Sequence, residues 1–181
     1  VAPGTNGIID PAEIGRRVSS TTNMVTVMAA NNEVGTLQPI QEISKEIRKH
    51  GSKLTVFQTD AVQAIGHIPV DVQKMGVDML VMDDGWFGHR ESDDSSLGDW
   101  YVNEKKLKGG LSSLIERVNA EGLKFGIWYE PEMISPDSDL YRAHPDWCLH
   151  VPNRENSPAR LQYVLDMTRK DVRDNIFAQM Y

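Results

Sequence analysis

This chain of 181 residues has a single cysteine, Cys148, so no disulfide can form within it. Nothing else in the sequence points to an oxidising compartment, and a reducing cytoplasm is the expected location. No apolar run approaches the roughly 20 residues that a membrane-spanning helix needs. No signal peptide opens the chain. It begins at Val1 without Met and ends at Tyr181 inside a helical pattern, so both ends read as cut. Basic residues are in deficit: 19 Lys and Arg against 26 Asp and Glu, for a net charge of -7. Such a surface repels phosphates, which argues against nucleic acid and anionic membranes as partners. The five histidines, His50, His67, His89, His144 and His150, lack metal-ligand spacing of the HExxH kind, and no metal is expected. There is no repeat and no low-complexity tract.

Hydrophobic residues make up 40% of the chain and charged residues 25%, a balance typical of a globular protein with a real core. Asp10-Pro11 opens a short helix around Ile14 to Val18. Met24 to Ala30 is a β-branched apolar run and predicts a buried strand. Ile40, Ile43 and Ile47 repeat at helical spacing up to Gly51. Strands are expected at Leu54 to Gln58, Val77 to Met82, Lys124 to Tyr129 and Gln162 to Met167. Helices are expected at Val70 to Met75, Leu107 to Asn119 and from Asp171 onward. The stretch from Ser135 to Ala159 is rich in Pro, Asp and Asn and reads as a long covering loop.

Strands alternating with helices predict an α/β fold of about five parallel strands, as an open three-layer sheet or a partial (half) barrel. Chemistry in such folds gathers at the carboxyl ends of strands, where Asn32, Asp60, Asp83, Asp84 and Glu130 fall. A partial barrel would leave edges and an apolar face open, which predicts a homodimer or higher homo-oligomer.

Two family resemblances divide the chain. The motifs VTVMAANNEVGTLQPIQEI, TDAVQAIGHIPVDVQ and GVDML make residues from about 7 to 80 resemble the large domain of a pyridoxal-phosphate cysteine desulfurase, of the class-V aminotransferases. The resemblance implies that Asn32 contacts the cofactor ring region, Asp60 pairs with the pyridine nitrogen and Gln63 with the ring hydroxyl. A carboxylate beside that nitrogen keeps it protonated and makes the ring an electron sink. The family's Schiff-base lysine, however, follows the GVDML strand, and here Gly88-His89-Arg90 is only an offset echo of that motif. Arginine stays protonated and cannot form an imine. No bound cofactor is therefore expected beyond weak, non-covalent pyridoxal-phosphate binding.

From about residue 81 to 181 the motifs MDDGWFGHRESDDSSLGDWYVN, GLKFGIWYEPEMISPDSDLYRAHPDW and RLQYVLDMTRKDVRDNI resemble the catalytic barrel of a bacterial retaining α-galactosidase of the melibiase-like clan. That resemblance implies sugar contacts from Asp83, Asp84, Trp128 and Arg160, with a galactose-type sugar as partner. Paired carboxylates accept from adjacent hydroxyls, and an indole covers the apolar face of a pyranose. Retaining hydrolysis needs two carboxyl groups across the scissile bond, and in the family both lie beyond the segment present here.

The sequence reading is thus a single α/β domain over 1–181 built from a desulfurase-like segment, 1–80, and an α-galactosidase-like segment, 81–181. They meet at a helix and strand that either family can claim. No catalytic residue is assigned and no catalysis is expected, with residual galactoside binding as the alternative. A designed or selected chimera fits such a junction, because natural fusions join whole domains at linkers. Natural gene fusion and a mis-assembled sequence are the other origins considered.

Overall fold

The computed structural model describes residues 1–154 and 161–181. The chain divides into two compact units, Val1–Val77 and Asp78–Tyr181. Both are mixed α/β with parallel strand pairing.

In the first unit, helix α1 (Pro11–Arg17) begins three residues before the expected Ile14, with the Asp10-Pro11 start signal in the expected role. Asp10 Oδ1 accepts the Ala12 N–H at 2.9 Å, and Pro11 occupies the first turn. Glu13 pairs with Arg16 and Arg17 one turn on, at 2.6 and 2.7 Å. Helix α2 (Ile40–His50) buries Ile40, Ile43 and Ile47, and its last turn closes when the Gly51 N–H meets the Ile47 carbonyl at 2.7 Å. Strands β1 (Met24–Met28) and β2 (Val56–Asp60) pair in parallel, Met24 opposite Val56 through Met28 opposite Asp60. Val27, Ala29 and Ala64 join the helix isoleucines and Ile14 in one core. Ile43 is fully buried there, and truncation to Ala at such a site costs about 2–5 kcal/mol. The unit closes with the short helix α3 (Val72–Met75), capped by Asp71. Gly76 ends it at φ 68°, a left-handed setting that suits glycine, and its carbonyl accepts from the Arg48 guanidinium.

The second unit begins with strand β3 (Met79–Met82), pairs it in parallel with β4 (Lys124–Ile127), and places helix α4 (Gly110–Ala120) between them in the chain. Val118 of α4 is buried, and Leu111, Leu114 and Ile115 are half-buried on the same helix. Beyond β4 come β5 (Met133–Ile134), helix α5 (Asp139–Ala143), a 3-10 turn at Pro145–Trp147, β6 (Tyr163–Val164) and helix α6 (Lys170–Met180). Ile134, Leu140, Trp147, Cys148, Leu165, Val172 and Ile176 form one core, and Trp86, Phe87, Leu97 and Trp100 a second.

Two expectations are corrected. The five parallel strands of one open sheet or half barrel are instead, among the described residues, three separate two-stranded sheets, and the β5–β6 pair is antiparallel. Each strand pair sends residues into a different hydrophobic cluster, and Val56, Met79 and Val81 stay exposed rather than packing within one continuous sheet. The segment between β5 and β6 is also no plain loop. Leu140 and Trp147, held on α5 and the 3-10 turn, pack with Ile134 and Leu165, so the chain doubles back beside β5 rather than crossing over it. A reversal of that kind gives antiparallel pairing. No helix among the described residues is long and apolar enough to cross a membrane.

Candidate functional site

A cluster of polar and aromatic side chains in the second unit lies at the carboxyl end of β3. The strand runs out at Met82, and Asp83 and Asp84 follow at once. Gly85, at φ 97°, makes the turn that sends Trp86 and Phe87 into the core. A side chain would strain the backbone at that angle. Asp83 is exposed, and its Oδ1 accepts the Asp84 N–H at 2.9 Å. Asp84 is engaged by Arg90. The Arg90 Nε donates to both carboxylate oxygens at 3.0 and 3.2 Å, and Nη2 donates to Oδ2 at 2.7 Å. The Arg90 side chain is only 5% exposed, against 36% for Asp84. Its remaining arm donates to the Ser95 carbonyl at 2.8 Å, and the guanidinium lies over the Phe87 ring. Lys106 ties the loop from the other side, donating to the carbonyls of Gly85 and Arg90. Asn103 adds its backbone N–H to the Trp86 carbonyl and its side-chain amide to the Gly88 carbonyl.

Trp128 stands one residue past β4, and its N–H reaches the Met82 carbonyl at 2.9 Å, extending the β3–β4 ladder by one step. That bond brings Trp128 to the same strand end as Asp83. The half-buried Trp128 ring packs beside Phe87 and Trp100 at centroid distances of 6.4 and 6.1 Å. Its carbonyl accepts the Trp86 Nε1–H at 3.1 Å. Trp86 and Trp100 are equally buried, but the Trp100 Nε1–H has no hydrogen-bond partner among the described residues. Arg160 lies outside the described residues.

In the first unit Asn32, Asp60 and Gln63 are all exposed. Asp60, at the end of β2, accepts the Val62 N–H at 3.0 Å and so holds a turn. In the preceding loop the organising amide is Asn31, whose Oδ1 takes the N–H groups of Glu33 and Val34, rather than Asn32. A carboxylate open to water is a poor partner for a charged pyridine ring, since solvent screens the pair. The arginine of the lysine-like motif is committed to Asp84 in the second unit. These residues do not fit a Schiff-base-bound pyridoxal phosphate, and no chemical step is assigned to one.

The sequence reading missed Arg90 as a partner of Asp84 and Asp99 as a buried carboxylate. An arginine six residues past an acid, across a Gly turn, was the available signal for the first. Asp99 accepts the N–H groups of Asp139 and Leu140 at 2.8 and 2.9 Å, so it secures the start of α5. Burial holds its carboxyl above the usual carboxylate range, and those two donors oppose the shift only in part. Burial likewise pushes the Cys148 thiol up to about 11, which leaves it protonated and unreactive at neutral pH. No group of three or more metal-ligating side chains occurs among the described residues.

Comparison with known proteins bears out both resemblances. The melibiase family model matches residues 53–181, and the class-V aminotransferase model matches residues 1–83. The ranges share residues 53–83, so the region either family can claim is wider than the single helix and strand expected. Alpha-galactosidase Mel36A of Lactobacillus acidophilus is 58% identical over 108 residues, covering 60% of this chain and 15% of that protein. Alpha-galactosidase AgaA of Geobacillus stearothermophilus is 55% identical over 114 residues, covering 63% and 16%. The solved galactosidase domain of the alpha-galactosidase–sucrose kinase AgaSK superposes with a TM-score of 0.58 at 58% identity, over 60% of this chain and 15% of that one. The chain thus spans about 15% of the length of these relatives. The two-family reading stands, but the expectation that the chain is tied to no enzymatic function is corrected by these identities, which point to a fragment similar to part of an α-galactosidase. The chain belongs to the melibiase family and carries a class-V aminotransferase-like segment at its start.

Proposed function

We propose that the second unit is an α-galactosidase fragment that supplies one wall of a galactoside site. In this reading Asp83 and Asp84 accept from neighbouring hydroxyls of a galactose-type sugar, and Trp128 covers the apolar face of the ring. Arg160 is a further sugar contact on the family resemblance alone. The β3–loop–α4–β4 run is then one strand–helix–strand step of the family's barrel. The observation that carries the proposal is the shared strand end: Asp83 and Asp84 directly follow β3, Trp128 directly follows β4, and the Trp128 N–H to Met82 carbonyl bond locks the two ends together. Identity of 55–58% to named α-galactosidases supports the choice of sugar. The relatives' hydrolysis of α-galactosides is the activity in which this wall would take part.

The test is a titration with methyl α-galactoside followed by tryptophan fluorescence, with methyl α-glucoside as the control. Binding of the galactoside in preference to the glucoside, weakened by Asp83→Ala, is the expected result. Equal or absent responses to the two sugars would end the proposal.

A further inference from the structure

Asp83 and Asp84 are neighbours in sequence but sit in different settings, and Arg90 makes the difference. Asp83 uses one oxygen on a local backbone N–H and is otherwise open to water. Asp84 has a guanidinium fork on the buried side of its carboxylate. A carboxylate offers about four lone-pair sites, and a bidentate arginine occupies the two that face it. The two outward sites remain for other donors. The fork also fixes the carboxylate plane, which a free aspartate at a strand end would not have. Arg90 is itself immobilised by the Ser95 carbonyl and the Phe87 ring, so the clamp has a rigid base.

We infer that Arg90 is a positioning residue for sugar recognition, clamping Asp84 from beneath so that its outward lone pairs meet the sugar hydroxyls in one fixed orientation. This rests on the galactoside reading of the site. It assigns the pair unequal parts: Asp84 is preset, while Asp83 adjusts. Lysine cannot replace the arginine, because a single ammonium lacks the planar two-point contact.

The experiment is a titration of the intact chain with methyl α-galactoside, monitored by NMR at the Arg90 Nε–H and the tryptophan Nε1–H resonances together. Movement of the Arg90 signal in step with the tryptophan signals is expected. Arg90→Lys should keep the near-ultraviolet circular dichroism of the aromatic cluster and weaken the sugar by about tenfold, the scale on which coupled neighbours interact. Should the lysine variant fail to fold, the wild-type titration decides alone. Tryptophan signals that move while Arg90 stays silent, or a folded lysine variant with unchanged affinity, would overturn the positioning role and leave the galactoside reading standing. No movement of any signal would overturn both.

Discussion

Leu80 lies opposite Phe125 in the parallel β3–β4 ladder. This pairing sets the strand that both families can claim beside β4, which only the melibiase model covers. Helix α3 and Gly76 belong to the first unit, and the strand that begins three residues later belongs to the second. Each unit also has a core of its own, with Ile43 fully buried in one and Phe87 in the other. Residues 78–181 expressed alone should therefore keep the near-ultraviolet dichroism that the Trp86, Phe87, Trp100 and Trp128 cluster gives the whole chain. A featureless spectrum from that fragment, with the intact chain still structured, would show that β3 depends on the first segment after all.

The two adjacent acids should differ sharply in stability when truncated. Asp84→Ala leaves the buried Arg90 guanidinium with only the exposed Asp93 carboxylate, at 4.0 Å, as counter-charge among the described residues. Breaking a buried ion pair by removing one partner costs about 3–5 kcal/mol, and the partial exposure of Asp84 puts the loss at the lower end. Among the described residues Asp83 supports only the neighbouring backbone N–H, so Asp83→Ala should stay within about 1 kcal/mol of the parent. Urea unfolding of the two variants compares them directly, and equal midpoints would remove the claim that Arg90 depends on Asp84.

Two tryptophans of equal burial should respond differently to replacement by phenylalanine. Trp86 and Trp100 are each 3% exposed, so the loss of apolar area nearly cancels between them. The Trp86 Nε1–H donates to the Trp128 carbonyl, whereas the Trp100 Nε1–H is buried without a partner among the described residues. Trp86→Phe gives up a hydrogen bond, while Trp100→Phe removes a donor whose burial is uncompensated, worth about 1–3 kcal/mol. Trp86→Phe should therefore be the more destabilising by about 1–2 kcal/mol. Chemical denaturation followed by far-ultraviolet dichroism measures this, and the reverse order would contradict it.

Local elements were legible in the sequence where one physical signal dominated. The isoleucine spacing of α2, the Asp10-Pro11 start of α1 and the apolar run of β1 all stand within a few residues of where pattern places them. Pairing between strands was not legible, because apolar periodicity records burial and not the partner. Nothing in Tyr163-Val164 announces that it lies antiparallel to Met133-Ile134; the packing of Leu140 and Trp147 brings it there. The site divided in the same way. Asp83, Asp84 and Trp128 could be placed at strand ends by counting residues. The Arg90 clamp could not, since it depends on how the Gly85 turn folds the loop back.

Asp99 should make stability depend on pH in the direction opposite to most carboxylates. Burial raises its folded value, and the Asp139 and Leu140 N–H groups lower it only in part. The folded chain therefore binds this proton at a higher pH than the unfolded chain does. Its contribution to stability is fully present below the unfolded carboxylate value and is lost as pH rises through the raised folded value. Asp71, Asp139 and Asp166 are shifted downward and act in the other sense, so the effect must be isolated as a difference. Asp99→Asn is the suitable variant, because it cannot titrate. It keeps one acceptor for the start of α5 but leaves the second N–H facing an amide, a cost of about 1–3 kcal/mol. The gap between parent and variant should widen as the pH is lowered from neutrality toward the carboxylate range, because the parent gains a proton that the variant cannot take up. Urea midpoints across that range give the gap, and a gap that stayed constant would mean that Asp99 titrates alike in the folded and unfolded chain.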